Sequence, residues 1–307
     1  MLTAIVMAGR NLLILCLLLA AHAPAHARQA ARRLTPREGV TGTLVRHERF
    51  PSRFVAARNV DVWLPPGYAL DRRRRFPVIY MHDGQNLFDP KTSYAGVDWG
   101  VDESLTRLVA QGVVREAIVV GVWNTPKRFA EYMPRKAVGS SDAGGLGGVP
   151  PGTKDEIISD EYLKFLVREL KPFIDSRYRT RRAASDTFVM GSSMGGLISA
   201  YAVAEYPRVF GGAGCVSTHW PAAGGAVVEY LGAHLPDPRT HKFYFDFGTE
   251  TLDAQYEPYQ KKVDALMLRA GYTEGANWVT RKFEGDEHSE RAWRGRVDIP
   301  LVFFLHK

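Results

Sequence analysis

Short apolar runs of strand length recur along the chain, with amphipathic stretches between them. Pro77-Val-Ile-Tyr-Met and Ala117-Ile-Val-Val-Gly-Val-Trp are continuous rather than alternating, which predicts strands buried on both faces. Residues 187–190, 209–216, 242–248 and 277–283 predict further strands. Residues 161–178 place Tyr162, Phe165, Leu166, Leu170 and Phe173 at helical spacing, and residues 254–271 read as a helix closed by Gly271. Residues 42–64 alternate as an antiparallel hairpin would, with Val60-Asp-Val-Trp-Leu as its second strand and Pro65-Pro66-Gly67-Tyr68 as the stop. Strands alternating with helices predict one α/β domain built on a mostly parallel sheet with helices on both faces. No internal repeat or interdomain linker interrupts the pattern.

Residues 127–155 break the periodicity and contain a Gly/Pro-rich stretch at 139–153, which reads as a lid over a pocket or as a plain solvent loop. Gly147 to Gly152 has the glycine spacing of a phosphate loop. Thr153-Lys154 reverses the required order, however, and no strand precedes it, so a nucleotide site is rejected.

The composition adds a core and an address. Among 307 residues, 45% are apolar and 11% aromatic, enough to fill a sizeable core and to exclude a disordered chain. Residues 1–27 carry Arg10, an apolar run from Asn11 to Ala21, and Ala25-His26-Ala27, the small-x-small pattern of a signal-peptidase site. The run is too short for a membrane span. The expectation is a cleaved secretory signal at 1–27, a mature domain at 28–307, and a periplasmic or secreted protein. Cys16 would leave with the signal, so Cys215 alone remains and no internal disulfide is expected. The net charge is +7, yet the basic residues are scattered and the one dense run, Arg72 to Arg75, reads as a solvated loop. No nucleic-acid partner is expected.

The candidate chemistry begins at Gly191-Ser192-Ser193-Met194-Gly195-Gly196, where an apolar strand runs straight into a small-residue helix. This fits the G-x-S-x-G nucleophile elbow, with Ser193 at its centre on a sharp turn. Glycines flank the serine because side chains there would collide with neighbouring backbone. The Met194 amide, at the positive end of the helix, can face a developing oxyanion.

A serine hydroxyl needs a base, and the base needs an orienting acid. His288, in Gly285-Asp-Glu-His-Ser-Glu, is the favoured base because it follows the last predicted strand, in the chain order Ser…Asp/Glu…His. His82 and His219, after other strands, are the remaining candidates with site context. The acid is sought in Gly248-Thr-Glu-Thr-Leu-Asp253, where Asp253 is favoured over Glu250 because the first turn of the following helix would keep it ionised. His82-Asp83-Gly84-Gln85 occupies the turn expected to supply the second oxyanion amide, from Gln85 or from Gly84, with Gly84 permitting the unusual backbone angle. The histidines lack ligand spacing, so neither a metal nor a cofactor is expected.

His82-Asp-Gly-Gln-Asn-Leu-Phe, Gly191-Ser-Ser-Met-Gly-Gly and Gly285-x-x-His288 resemble the "putative esterase" family of α/β-hydrolases. That family includes enterochelin esterases, feruloyl and acetyl-xylan esterases, S-formylglutathione hydrolase and the mycolyltransferases. The likeness runs from about Val60 to the C-terminus, and the His-Asp-Gly turn is closest to the enterochelin-esterase-like branch. It implies an α/β-hydrolase fold and an acyl-serine mechanism with Ser193, His288 and Asp253 as triad, Glu250 as alternative acid, and Gln85 and Met194 as oxyanion amides. In many relatives the acid lies where this chain has Thr251.

Three functions are compatible with these residues. The first is a secreted carboxylic ester hydrolase acting on a small-molecule ester, a siderophore or a feruloyl or acetyl ester. The second is an acyltransferase using the same triad, and the third a non-catalytic glycan- or siderophore-binding protein on a hydrolase scaffold. Trp123, Tyr132 and Trp220, with Tyr94 and Trp99, are candidates for an aromatic wall around an acyl group. Oligomeric state is not encoded in any of these signals.

Overall fold

The predicted hairpin forms the antiparallel margin of the sheet: β1 (Thr43–Phe50) and β2 (Arg58–Leu64) pair with Thr43 opposite Leu64. The computed structural model describes residues 39–139 and 156–307. Beyond the hairpin come β3 (Val78–His82), β4 (Ile118–Val122), β5 (Thr187–Ser192), β6 (Gly212–Val216), β7 (Lys242–Gly248) and β8 (Trp278–Phe283). The strand order is β1-β2-β4-β3-β5-β6-β7-β8, antiparallel through β2–β4 and parallel from β4 onward.

Every residue of β3 and β4 is buried, as their continuous apolar runs predict. Successive side chains feed opposite faces: Val78 and Tyr80 join one core cluster, Ile79 and Met81 the other. The covering helices are α1 (Val101–Ala110), α2 (Arg128–Tyr132), α3 (Arg135–Val138), α4 (Ser159–Phe165), α5 (Lys171–Arg177), α6 (Met194–Glu205), α7 (Ala226–His234), α8 (Glu257–Arg269), α9 (Glu290–Arg296) and α10 (Asp298–Leu305). The helix predicted at 161–178 is α4 and α5 joined by a π-helical stretch, Leu166–Leu170. The one predicted at 254–271 is a 3-10 turn, Thr251–Gln255, followed by α8.

Two closing helices were not foreseen. Ser289 starts α9 by accepting the Ala292 amide at 3.3 Å. The continuous apolar run of α10, Ile299 to Leu305, carries no helical period to read, yet it forms a helix that packs Phe304 against Phe188 at 4.8 Å between ring centroids. The predicted signal at 1–27 and the 140–155 part of the candidate lid segment lie outside the described residues. Among the described residues no helix is long and apolar enough to cross a membrane.

Candidate active site

Ser193 stands between β5 and α6 with φ 59° and ψ −121°, a strained conformation for a residue with a side chain. The surrounding glycines explain how the turn fits. A Cβ on Gly191 would lie 3.0 Å from the Gly195 backbone, and one on Gly196 would lie 2.4 Å from Thr218 Oγ1. The turn is tied down by Ser193 N donating to Val216 O at 2.9 Å and by His219 N donating to Ser193 O at 3.2 Å. Met194 is the first residue of α6, so its amide is one that a helix leaves without an internal acceptor.

His288 and Asp253 are paired: Nδ1 lies 2.6 Å from Oδ1. The other carboxylate oxygen, Oδ2, accepts from the Ser217 hydroxyl at 2.6 Å and from the Gly248 amide at 2.6 Å. Asp253 is 1% exposed. Burial pushes its carboxyl up, but the bonds from His288, Ser217 and Gly248 outweigh that and hold it below the usual carboxylate range. Its place is the 3-10 turn before α8, so these three donors, rather than the first turn of the helix, keep it ionised. Glu250 is exposed at the start of that turn, with its amide bonded to Asp286 O at 3.0 Å. Thr251 occupies the left-handed region at φ 55°, and its hydroxyl accepts the His288 amide at 2.8 Å, which fixes the loop that carries the imidazole.

Ser217 and Arg296 form a layer behind the acid that sequence reasoning missed. The Ser217 oxygen accepts from Trp293 Nε1 at 3.0 Å and from Arg296 Nη2 at 2.8 Å, so its single proton is directed at Asp253. Arg296 is 3% exposed, and it also reaches Asp246 Oδ1 at 3.1 Å and Asp286 Oδ2 at 2.6 Å. Burial alone would lower its pKa, but Asp246, Asp286 and Asp253 raise it, so the guanidinium stays charged.

Tyr256 was missed as well. Its hydroxyl lies beside the Ser193 side chain and pairs with His219 Nδ1 at 2.7 Å. Its ring also meets His288 edge-on, with centroids 5.7 Å apart. Ser193, His219 and His288 therefore converge on one phenol. His219 is shifted down by burial, then by the neighbouring His288 and Arg128, so it stays neutral beside the serine.

The His82-Asp83-Gly84-Gln85 turn departs from expectation in one respect. The left-handed angle belongs to Asp83, at φ 55°, and not to Gly84. Gly84 is required for space: a Cβ there would lie 2.4 Å from the Gly121 carbonyl carbon of β4. Asp83 is clamped by Arg128 through Nε at 2.7 Å and Nη2 at 2.8 Å, and by Asn124 Nδ2 at 2.6 Å. Burial pushes its carboxyl up, and these partners pull it below the usual range. The Gln85 side chain accepts from the Asn124 amide at 3.2 Å and its carbonyl accepts from Thr92 Oγ1 at 2.7 Å, so the turn bearing the Gln85 amide is pinned on both sides. Burial drives His82 down to about 3, which leaves it a neutral partner of the Tyr162 hydroxyl at 2.8 Å and unsuited to proton transfer.

The aromatic wall is not assembled from the residues the sequence suggested. Tyr132 and Trp220 are 0% and 1% exposed, so both belong to the core behind the site. Trp99 packs on Trp293 at 5.5 Å, and Tyr94 stands in solvent. Trp123 is half-buried, but its indole donates to Asp61 at 2.8 Å beneath Arg46, toward the antiparallel margin. A cavity of about 440 Å³ flanks the His288 loop, lined by Phe283, Asp286, Arg291 and Arg296 among others. Neither Ser193 nor Tyr256 lines it. Among the described residues, Asp98, Asp102 and Glu103 bring carboxylates together, but Arg294 bonds to Asp98 at 2.8 Å and to Glu103 at 3.3 Å.

The fold and this arrangement define an α/β-hydrolase. The family described as "Putative esterase" matches residues 52–298, and the chain belongs to it. It is 25% identical over 243 residues to "Uncharacterized protein YbbA" of Bacillus subtilis (strain 168), covering 76% of this chain and 84% of that one. It is also 25% identical over 240 residues to "Endo-1,4-beta-xylanase/feruloyl esterase" of Xylanibacter ruminicola, covering 77% of this chain but 28% of that one. The enterobactin esterase FES of Shigella flexneri superposes with a TM-score of 0.61 at 18% identity, over 88% of this chain and 60% of that one. The protein is a carboxylic ester hydrolase.

Proposed function

We propose that Ser193 is the nucleophile, His288 the base and Asp253 the orienting acid of a serine esterase. The observation that carries this reading is the 2.6 Å bond from His288 Nδ1 to a buried, ionised Asp253, with the Tyr256 ring edge-on to that imidazole beside the elbow. The Asp253 bond leaves Nε2 of His288 to take the Ser193 proton as Oγ attacks the ester carbonyl. The amides of Gln85 and Met194 receive the oxyanion. His288 then returns the proton to the departing alcohol, and water, activated by the same imidazole, cleaves the acyl-serine and frees the acid.

Within the ester class, we favour aromatic acyl esters, feruloylated sugars or catecholate siderophores, on the strength of what the named relatives act on. The apolar run and Ala25-His26-Ala27 support export as a periplasmic or secreted protein, and N-terminal sequencing of the mature protein should begin at Arg28. Fluorophosphonate labelling tests the chemistry: an adduct on Ser193, lost in Ser193→Ala, is the expected result. A panel of p-nitrophenyl, feruloyl and catecholate-siderophore esters then ranks substrates. No adduct, together with no hydrolysis across the panel, would overturn the reading.

A further inference from the structure

The run Arg72 to Arg75 is not the isolated solvated loop it resembles in the sequence. A parallel bridge between Phe76 and Thr180 lays it alongside Arg179 and Arg181, with Arg182 next in the chain. Phe76 N donates to Arg179 O at 2.8 Å and Arg181 N donates to Phe76 O at 2.7 Å. Arg179 Nε and Arg181 Nε reach the carbonyls of Arg74 and Arg75 at 3.2 and 3.3 Å, which clips the two segments together. The result is a concentrated arginine face at the amino end of β3. Holding like charges together costs stability through mutual repulsion, and local acids relieve only part of it. Glu116 takes Arg74, and Asp186 takes Arg115 and lies 3.8 Å from Arg181. Among the described residues, no ion pair holds Arg72, Arg73, Arg75 or Arg182.

One apolar side chain stands in the same face. Leu70, two residues before the run, is 87% exposed on the loop that Arg179 fastens through the Tyr68 carbonyl. The aromatic rings that base stacking would need are covered: Arg179 lies 3.8 Å over Tyr68 and Arg74 5.0 Å over Phe76. Unpaired arginines around a protruding leucine suit a bilayer, where guanidinium groups meet anionic headgroups and an aliphatic side chain reaches the acyl boundary.

We propose that this face docks the enzyme onto an anionic phospholipid surface, with Leu70 inserted among the headgroups. Ser193, Gln85, Asp253 and His288 all follow the carboxyl ends of parallel strands, whereas the arginines lie at the amino end of β3. The docked enzyme would present its site away from the lipid, toward soluble esters. The proposal does not depend on which residues carry the chemistry.

Co-sedimentation with vesicles tests it, using the chain from Arg28 on, which holds the compact unit Ala31–Lys307 and lacks the apolar run that would itself insert. The expected result is binding to phosphatidylcholine vesicles containing phosphatidylglycerol, weak binding to phosphatidylcholine alone, and loss of binding in high salt. Combining Arg72→Gln, Arg73→Gln, Arg75→Gln and Arg182→Gln should weaken it about fivefold per charge, several hundredfold together. Leu70→Ser should weaken it about tenfold. Hydrolysis of a soluble p-nitrophenyl ester by each variant should match the parent, which shows that the fold and the site are intact. Equal binding to neutral vesicles, or no binding to either, overturns the proposal. Duplex DNA binding as tight as vesicle binding, with Leu70→Ser without effect, overturns it in favour of a general polyanion surface.

Discussion

Replacing Ser217 with alanine should impair the esterase without destroying it, and the size of the loss follows from the bonds around Asp253. The carboxylate accepts three short hydrogen bonds, from His288, Ser217 and Gly248, each at 2.6 Å. A hydrogen bond to a charged group contributes about 1.5–3 kcal/mol. Removing one of three leaves Asp253 ionised near neutrality and still bonded to the imidazole, but less able to stabilise the imidazolium that forms in the transition state. The expected fall in kcat/KM is between about tenfold and about a hundredfold. Because Ser217 helps hold Asp253 below the usual carboxylate range, its loss should let the carboxyl rise toward that range, so the fall should deepen at acid pH, where Asp253 begins to take a proton. Trp293 Nε1 loses its acceptor at the same time, which costs about 1–3 kcal/mol of stability by urea unfolding. Arg296 keeps Asp246 and Asp286. The assay is p-nitrophenyl ester hydrolysis across pH, with unfolding measured on the same samples. A folded variant with wild-type rate and pH profile would refute the reasoning, since the hydroxyl would then do nothing for the acid.

The remaining predictions separate alternatives that the geometry distinguishes. Asp253→Asn should lower kcat by about four orders of magnitude, as removal of a triad carboxylate does elsewhere, while Glu250→Gln on the exposed turn should stay within about twofold. Steady-state rates on one ester suffice to check both. Gly84→Ala should lower both stability and rate, because its Cβ would lie 2.4 Å from the backbone of β4, which cannot yield; thermal unfolding and kcat measure the two effects. Stability should fall with acid before the carboxylates titrate. His82 refuses protons down to about 3, whereas an unfolded histidine takes one near 6.5. Below 6.5 the unfolded chain therefore binds more protons, and His82 alone contributes a loss of up to about 1.4 kcal/mol per pH unit. Asp83 and Asp253, held low, lose their stabilisation only as pH falls through and below the unfolded carboxylate value of 3.8. Urea melts across this range should show a slope reduced in His82→Gln, with His47 and His219, also shifted down, supplying the rest.

What was legible in the sequence was whatever depends on spacing along the chain. The elbow could be read because a tight turn between buried strand and helix needs glycines at fixed offsets from Ser193, and the buried strands because both faces of β3 and β4 must be apolar. What was not legible depends on separate segments meeting. Ser217 has no signature as a partner of Asp253 until β6 and β7 lie side by side, and Arg296 reads as an ordinary helix-terminal arginine until Asp246 and Asp286 surround it. Tyr132 and Trp220 were misread for a related reason. A loop position suggests a pocket wall, but Trp220 Nε1 finds Gln260 at 2.9 Å and the Tyr132 hydroxyl finds the Asp83 amide at 3.4 Å, so the polar tip of each is satisfied inside the core. Position after a strand located the loops correctly, but could not say which way each side chain turned.

The same contrast bears on the choice of acid. Glu250 and Asp253 are three residues apart in one turn, and each is followed closely by a helix, so helix-end electrostatics favours neither strongly. We favour Asp253 because a carboxylate that keeps its charge when buried must have donors waiting. Ser217 and Gly248 point at Asp253, and Arg296 stands 3.9 Å from Oδ2 to offset the charge without competing for His288. A carboxylate at 250 has solvent instead. Solvent keeps a carboxylate ionised but leaves it free to turn, and a freely turning acid cannot hold an imidazole in one tautomer and one orientation.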